Sequence, residues 1–356
     1  MKVLYVDNCI IGHHTKYLKS LAKKLPVNSC FVLPSYIDEI DIKKQHLIDI
    51  DIERKNPFGY IRYIKFIKNI AKEEKVDIIH FLSIDPLLKY FGWGFRSISK
   101  HHKIICTYHH LKKGKVHDLA RKMMFMNINC CVVHTDSIVS ILNHKGIKNC
   151  AHIEYPVFEY ETKLNVKDCR NKLGIKTDNK VILALGGTRY NKGLDILLDA
   201  LSKVNVPFEL LIAGQEEYFT RKEIEKKIES YKENVHLVLK YLSDRELEEC
   251  LVASDIICLP YRKCFDGASG PLAEGVIHDK CMIGPDHGSL GKIIKSNHLG
   301  MTFKSENSVS LSKVIIDCIV KKFYYDSHYL DYKYKISEKE FVSSYLDIYQ
   351  KINANH

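Results

Sequence analysis

Ten short apolar runs, each followed by a stretch long enough for a helix, restrict this chain to one class of architecture. They fall at 3–6, 30–33, 77–82, 103–107 and 130–134 in the first half, and at 181–185, 209–213, 235–239, 255–259 and 281–283 in the second. Continuous apolar runs bounded by Gly, Pro or Asp suit strands buried on both faces, and strands that alternate with helices pair in parallel. The intervening segments carry helical spacing: Leu194, Leu197, Leu198, Leu201 and Val204 share one face. Ser243 with Glu246 reads as a capping box opening a helix that holds Leu247 and Leu251. Pro271 stands behind Gly270, where a first-turn proline belongs. The expected fold is α/β, with two Rossmann-like doubly wound domains and ligands held beyond the carboxyl ends of the strands, in a cleft that the domains face.

At 356 residues the chain is long for one core and adequate for two. The aperiodic stretch 156–165 reads as the link between them. Hydrophobic residues at 46% and charged residues at 27% describe a globular chain, not a disordered one. The net charge of +11 is uneven: residues 1–165 hold 26 Lys+Arg against 16 Asp+Glu, and the remainder 28 against 27. A basic first half can serve nucleic acid, anionic lipid or a phosphorylated substrate. Nucleic acid is not expected, because neither a recognition helix nor basic–aromatic interleaving on a sheet is visible.

The 12 cysteines show no C-x-x-C and no zinc-finger spacing, which fits reduced thiols in the cytoplasm. No segment approaches the roughly 18 apolar residues of a spanning helix. The N-terminus runs directly into a strand, without the pattern of a secretory signal. The expected location is cytoplasmic, with any membrane contact peripheral. Lys112, Lys113, Lys115, Arg121 and Lys122, next to Met123, Met124, Phe125 and Met126, are the segment that suits an anionic membrane surface. The alternative is a solvated helix end followed by a core segment. No H-E-x-x-H or comparable His/Asp set occurs, and no metal is expected.

Two stretches could carry chemistry. Residues 185–193 read Leu-Gly-Gly-Thr-Arg-Tyr-Asn-Lys-Gly. A strand ends in two glycines, Gly186 and Gly187, then presents Arg189 and Lys192 before a helix. Glycines let the backbone approach a ligand, and two cations three positions apart can neutralise a diphosphate. Residues 259–274 read as a strand end, a polar loop and a helix start whose free amides attract phosphate. Asp266 and Glu274 lie eight positions apart in that stretch, and carboxylates bind sugar and ribose hydroxyls. Taken singly, these features also fit a solvated turn and a capped helix.

In order and spacing, residues 180–350 resemble the donor domain of glycosyltransferase family 4 and its GT-B relatives. The matching pieces are Arg189 and Lys192 ahead of Gly193, the strand ending at Gly214, Tyr241 and Leu242 in the segment 240–247, and Ser269-Gly270-Pro271-Leu272. The pair Asp266 and Glu274 and the terminal segment 341–349 complete the set. The first half matches less closely. Cys9 to Gly12 stands where a Gly-Gly pair is usual, leaving Gly12 as the single glycine, and His109 ends a Thr-x-His segment.

The resemblance implies a retaining hexosyltransferase that uses a nucleoside diphosphate sugar as donor substrate and no cofactor. It would build cell-surface polysaccharide on a glycan or lipid-linked acceptor. It implies an acceptor domain 1–157, a donor domain 158–336 and a helix 337–356 packing back on the first domain. His109, Arg189, Lys192 and Asp266 would be catalytic. Gly12, Gly187, Arg189, Lys192, Gly214, Tyr241, Leu242, Asp266, Ser269, Gly270, Pro271, Leu272 and Glu274 would bind the donor. Asp266 is shorter than the usual Glu, and Pro271 lacks the N–H that a phosphate could use. The alternatives are a GT-B sugar-nucleotide epimerase, which lacks the Arg-x-x-Lys-Gly start and this acidic pair, and a basic nucleic-acid-binding protein.

Overall fold

In the computed structural model all ten apolar runs are strands, and three short strands complete two sheets. The structure describes all residues except 11–12, 51, 53–55, 113, 159, 161–163, 266–268 and 355–356. The chain forms two compact units, Met1–Phe158 with Glu338–His356, and Glu159–Ser337.

In the first unit, β1 (Lys2–Val6), β2 (Asn28–Leu33), β3 (Gln45–Leu47), β4 (Ile78–Phe81), β5 (Lys103–Thr107), β6 (Cys130–Val133) and β7 (Cys150–His152) pair in the order β3-β2-β1-β4-β5-β6-β7. In the second, β8 (Lys180–Leu185), β9 (Phe208–Ala213), β10 (Val235–Val238), β11 (Ile256–Cys258), β12 (Cys281–Pro285) and β13 (Gly300–Phe303) pair in the order β10-β9-β8-β11-β12-β13. Every pairing is parallel. The strands that sequence reading missed are β3, β7 and β13, all at sheet edges. Their segments, Gln-His-Leu, Cys-Ala-His and Gly-Met-Thr-Phe, have no continuous apolar run because one side of an edge strand is not covered by a neighbour.

The strand order places the ligand crevice. In the second unit the chain runs from β8 to β9 and β10 on one side, then crosses to β11 on the other. Connections leaving β8 and β11 therefore diverge, and a crevice opens beyond their carboxyl ends. The same reversal occurs between β1 and β4 in the first unit. Leu194, Leu197, Leu198 and Leu201 are buried under the helix Leu194–Leu201, packed with Leu210, Ile212 and Ile283. Val204 lies past the end of that helix and is partly buried against the same core. The capping box at Ser243 and Glu246 is formed on the helix Asp244–Ala253.

The terminal helix Glu338–Ala354 belongs to the first unit. Phe341, Tyr345 and Tyr349 are fully buried with Tyr17, Leu18 and Leu21 of the helix His13–Lys24 and with Val3 and Tyr5 of β1. Buried tyrosine hydroxyls need partners, and the sheet supplies them. Tyr345 Oη lies 2.6 Å from Tyr17 Oη and 2.8 Å from Thr107 Oγ1. Tyr349 Oη lies 2.7 Å from His80 Nδ1, and His80 Nε2 lies 3.1 Å from Thr107 Oγ1. Lys24 closes the start of the helix on Glu338 at 2.9 Å.

Burial drives His80 down to about 3, with the nearby His109 acting in the same direction, so its ring is neutral at neutral pH. In the unfolded chain a histidine takes up its proton near pH ~6.5. Between about 6.5 and 3 the unfolded state therefore binds more protons, and stability falls as the pH falls through that window. Urea unfolding across this range should show a shallower loss in His80→Gln than in the wild type. Equal slopes in both would remove His80 from the acid response.

Candidate active site

The site is built at the carboxyl end of β8. Past Leu185 the backbone enters the left-handed region at Gly186 (φ +106°), and past β9 it does so at Gly214 (φ +142°). The two glycines are in close contact: a Cβ on Gly214 would fall 2.4 Å from the Gly186 carbonyl. Buried Thr188 ties the two loops together. Its N–H donates to Gln215 O at 3.0 Å, its Oγ1 accepts from Glu217 N at 2.8 Å, and its hydroxyl donates to Phe219 O at 2.8 Å. A single 3-10 turn, Tyr190–Lys192, then leads through Gly193 (φ +64°) into the helix Leu194–Leu201.

That turn sends Lys192 back over the strand end. Its Nζ lies 3.4 Å from Leu185 O and 5.7 Å from the centre of the Tyr261 ring. A Cβ on Gly186 would sit 2.1 Å from this Nζ. Burial pushes Lys192 down to about 8; the Arg189 charge adds to the effect and Glu217 opposes it. Arg189 is 54% exposed, with Nε 3.8 Å from Glu217 Oε2. The Glu217 carboxylate also lies against Gly187, where a Cβ would meet Oε1 at 1.9 Å.

The stretch after β11 closes on this turn. Tyr261 is buried, and its hydroxyl lies 3.4 Å from Ser269 Oγ. Ser269 caps the helix Gly270–Ile277, accepting from Leu272 N at 3.3 Å, and Pro271 occupies the first turn. Arg262 locks the two loops together. Its Nη2 donates to both Asp195 oxygens at 2.8 and 2.6 Å, its Nε to Tyr190 O at 3.0 Å and its N–H to Asn191 O at 2.9 Å. Its guanidinium lies 4.2 Å from the Tyr190 ring centre. Gly193 passes so near Pro260 that a Cβ would fall 2.2 Å from the carbonyl oxygen. The result is an open concavity of about 320 Å³ lined by Gly186, Gly187, Thr188, Lys192, Pro260 and Tyr261.

Of the residues singled out from sequence, Gly187, Arg189, Lys192, Gly214 and Ser269 are brought together here, with Gly270, Pro271 and Leu272 in the turn that Ser269 caps. Glu274 is one turn further on, accepting from the Tyr160 hydroxyl at 2.8 Å. Tyr241, 71% exposed, and Leu242 follow β10, two strands from β8. Gly12 and Asp266 lie outside the described residues.

His109 is half-buried in the first unit. Its Nε2 lies 3.0 Å from Leu82 O, its N–H donates to Asp85 at 3.0 Å, and its ring centre is 5.8 Å from that of His14. Burial lowers its pKa, against the opposing charge of Asp85. Sequence reasoning passed over His14, whose Nδ1 lies 3.1 Å from buried Asp7. Burial disfavours the charged His14 ring, but the hydrogen bond and charge of Asp7 outweigh it and raise the pKa. It also passed over Glu217, Arg262 and Asp195. The one sequence signal is the Tyr261-Arg262 pair shortly after the end of β11, and it points to Arg262 alone.

The basic run divides. Arg121, expected on the surface, is buried: it pairs with Asp118 and donates to Tyr108 Oη at 3.0 Å and Lys112 O at 2.7 Å. Lys113 lies outside the described residues. On the helix Lys115–Phe125, Met124 and Phe125 are core. Val116, Leu119, Met123 and the capping Met126 are 44–75% exposed, at spacings of three and four that set them on one stripe. Lys112, Lys115 and Lys122 are exposed beside it. Among the described residues no helix is long and apolar enough to cross a membrane.

Two doubly wound units and a cation-lined concavity at a sheet reversal define a class, and comparison with known proteins gives the family. Residues 165–333 match the glycosyl transferases group 1 family and residues 2–135 the glycosyl transferase 4-like family. The chain belongs to the group 1 glycosyltransferases, with the GT-B fold. A glycosyltransferase of Rickettsia africae is 20% identical, with a TM-score of 0.81 over 100% of this chain and 99% of the other. HepE of Anabaena, solved with UDP, is 13% identical, with a TM-score of 0.78 over 99% and 100%. The lipopolysaccharide outer core galactosyltransferase WaaB, in its apo form, is also 13% identical, with a TM-score of 0.72 over 99% and 100%. These likenesses are of fold. No curated protein matches the sequence.

The close passage at Gly193 gives a direct test of how the loops lock. Gly193→Ala adds a Cβ against Pro260 O and forces a left-handed alanine. It should cost about 1–3 kcal/mol of stability, read as a lower urea midpoint. An unchanged midpoint would mean that the loops are not closely packed.

Proposed function

We propose that the chain is a retaining glycosyltransferase that moves a sugar from a nucleoside diphosphate to a glycan or lipid-linked glycan acceptor during cell-surface polysaccharide synthesis. One observation carries this reading. The cationic turn after β8 and the helix start after β11 meet through Lys192, Tyr261 and Ser269 at the sheet reversal. The positive end of a helix dipole and two neighbouring cations suit a diphosphate. HepE, which shares the fold, was solved with UDP, so a uridine nucleotide is the first donor to try.

In this scheme the bond between the sugar's anomeric carbon and the donor phosphate oxygen breaks, and the acceptor oxygen bonds to that carbon on the same face. The acceptor proton passes to a phosphate oxygen of the donor. Arg189 and Lys192 stabilise the charge that develops on the departing diphosphate. Glu217, which now pairs with Arg189, yields its place to the diphosphate. Glu274 is assigned to the ribose, Tyr241 and Leu242 to the base, and Asp266 and His109 to the transferred sugar. Gly187 and Gly214 give the donor close access to backbone, and Gly12 keeps its assignment to donor binding from the resemblance alone.

Arg189→Ala and Lys192→Ala should each lower transfer by about two orders of magnitude or more, with an unchanged circular dichroism spectrum. Because free Lys192 loses its proton near 8, kcat/KM for the donor should fall as pH rises through that value. Lys192→Arg should flatten the fall, since guanidinium stays charged. Near-normal turnover in both alanine variants would reject the scheme.

A lipid-linked acceptor would draw the enzyme to an anionic membrane, and the exposed stripe on Lys115–Phe125 with its flanking lysines is the surface we assign to that contact. Leu119→Glu with Met123→Glu should abolish co-sedimentation with phosphatidylglycerol vesicles that the wild type shows at low salt. Equal pelleting of variant and wild type would remove this surface from the contact.

A further inference from the structure

We propose that His298, Asp326 and His328 form a surface binding site for a late first-row divalent cation, zinc foremost. The site belongs to the second unit but lies away from the donor concavity. His298 lies two residues before β13, which stands three strands from β8 at the edge of the sheet.

Three local features bring the ligands together. His298 follows the capping residue of the helix Gly288–Ser296 in the left-handed region (φ +50°), where glycine is the least strained choice. That backbone aims the ring at Asp326, with Nδ1 2.5 Å from Oδ2. Asp326 caps the helix Ser327–Lys335 with its other oxygen, Oδ1 accepting from Tyr329 N at 3.1 Å. The cap fixes the carboxylate and leaves Oδ2 for the histidines. His328, in the first turn of that helix, brings its Nδ1 to 3.7 Å from the same Oδ2. The two rings face each other with centres 4.3 Å apart and planes inclined at 36°.

One ligand atom from each side chain, all within 4.8 Å of one another, is close to what a tetrahedral ion needs. With bonds of about 2.0–2.1 Å, ligand atoms sit roughly 3.4 Å apart, and small rotations of these exposed side chains close the difference. Two imidazoles and one carboxylate select zinc, copper or nickel over magnesium and calcium, which prefer oxygen. The three side chains are exposed, so water can complete the coordination. A bound cation would clamp the end of one helix to the start of another across a sequence separation of 28 residues. Its effect is on stability rather than on transfer.

The test uses the full chain stripped of metal and titrated with Zn2+ by calorimetry, with Mg2+ as control. The 12 cysteines are the competing ligands, so a parallel titration uses Co2+, whose absorption shows an intense thiolate charge-transfer band only when sulfur binds. The wild type should take up one equivalent of Zn2+ and show a raised Tm, with no thiolate band at one equivalent of Co2+. His298→Ala and His328→Ala should each bind at least about tenfold more weakly and lose the Tm rise. Asp326→Asn, which keeps a helix cap, should also weaken binding. Equal affinity in wild type and all three variants, a thiolate band at the first equivalent, or no binding by the wild type would overturn the proposal.

Discussion

A lysine can fold back over the end of a strand only where that strand end carries no side chain, and Gly186 meets that condition. The ammonium of Lys192 occupies space that a Cβ at Gly186 would take, 2.1 Å away. Its burial then weakens its hold on its proton, which places a partly desolvated cation where an anion can reach it. Such a charge interacts more strongly than one on the open surface. Gly193, Gly214 and Thr188 serve the same arrangement by bringing the loops after β8, β9 and β11 into contact.

The strand order explains why these loops meet. β8 and β11 are neighbours in space although more than 70 residues separate them in sequence, because the chain fills one side of the sheet before crossing to the other. The Arg262–Asp195 pair and the stacking of Arg262 on Tyr190 then hold the loops in one geometry. In the first unit a different device anchors the terminal helix: three aromatic rings provide the apolar contact, and hydroxyls bonded to His80 and Thr107 fix its register. Unpaired, those hydroxyls would oppose burial, so the polar network makes this docking specific as well as tight.

Much of this was legible in the amino-acid sequence. Strands buried on both faces announce themselves as apolar runs, and the glycine-rich turn with Arg189 and Lys192 marks itself by composition. Edge strands such as β3 and β7 do not, since half-solvated segments need no apolar run. Arg121 read as a surface cation because composition cannot reveal a partner such as Asp118 or a buried acceptor such as Lys112 O. Glu217 was missed because an acid three residues past a loop glycine looks like any solvated loop. Only the contact between the β8 and β9 loops shows that its carboxylate lies against Gly187 and Arg189.

The central claim is that one diphosphate is gripped by the turn after β8 and by the helix start after β11. A crystal structure with UDP tests it most directly. The diphosphate should lie within hydrogen-bonding distance of Lys192 and Arg189 and reach the N-terminal turn of the helix Gly270–Ile277, with Glu217 displaced from Arg189. A nucleotide bound elsewhere, with the Glu217–Arg189 pair undisturbed, would contradict it.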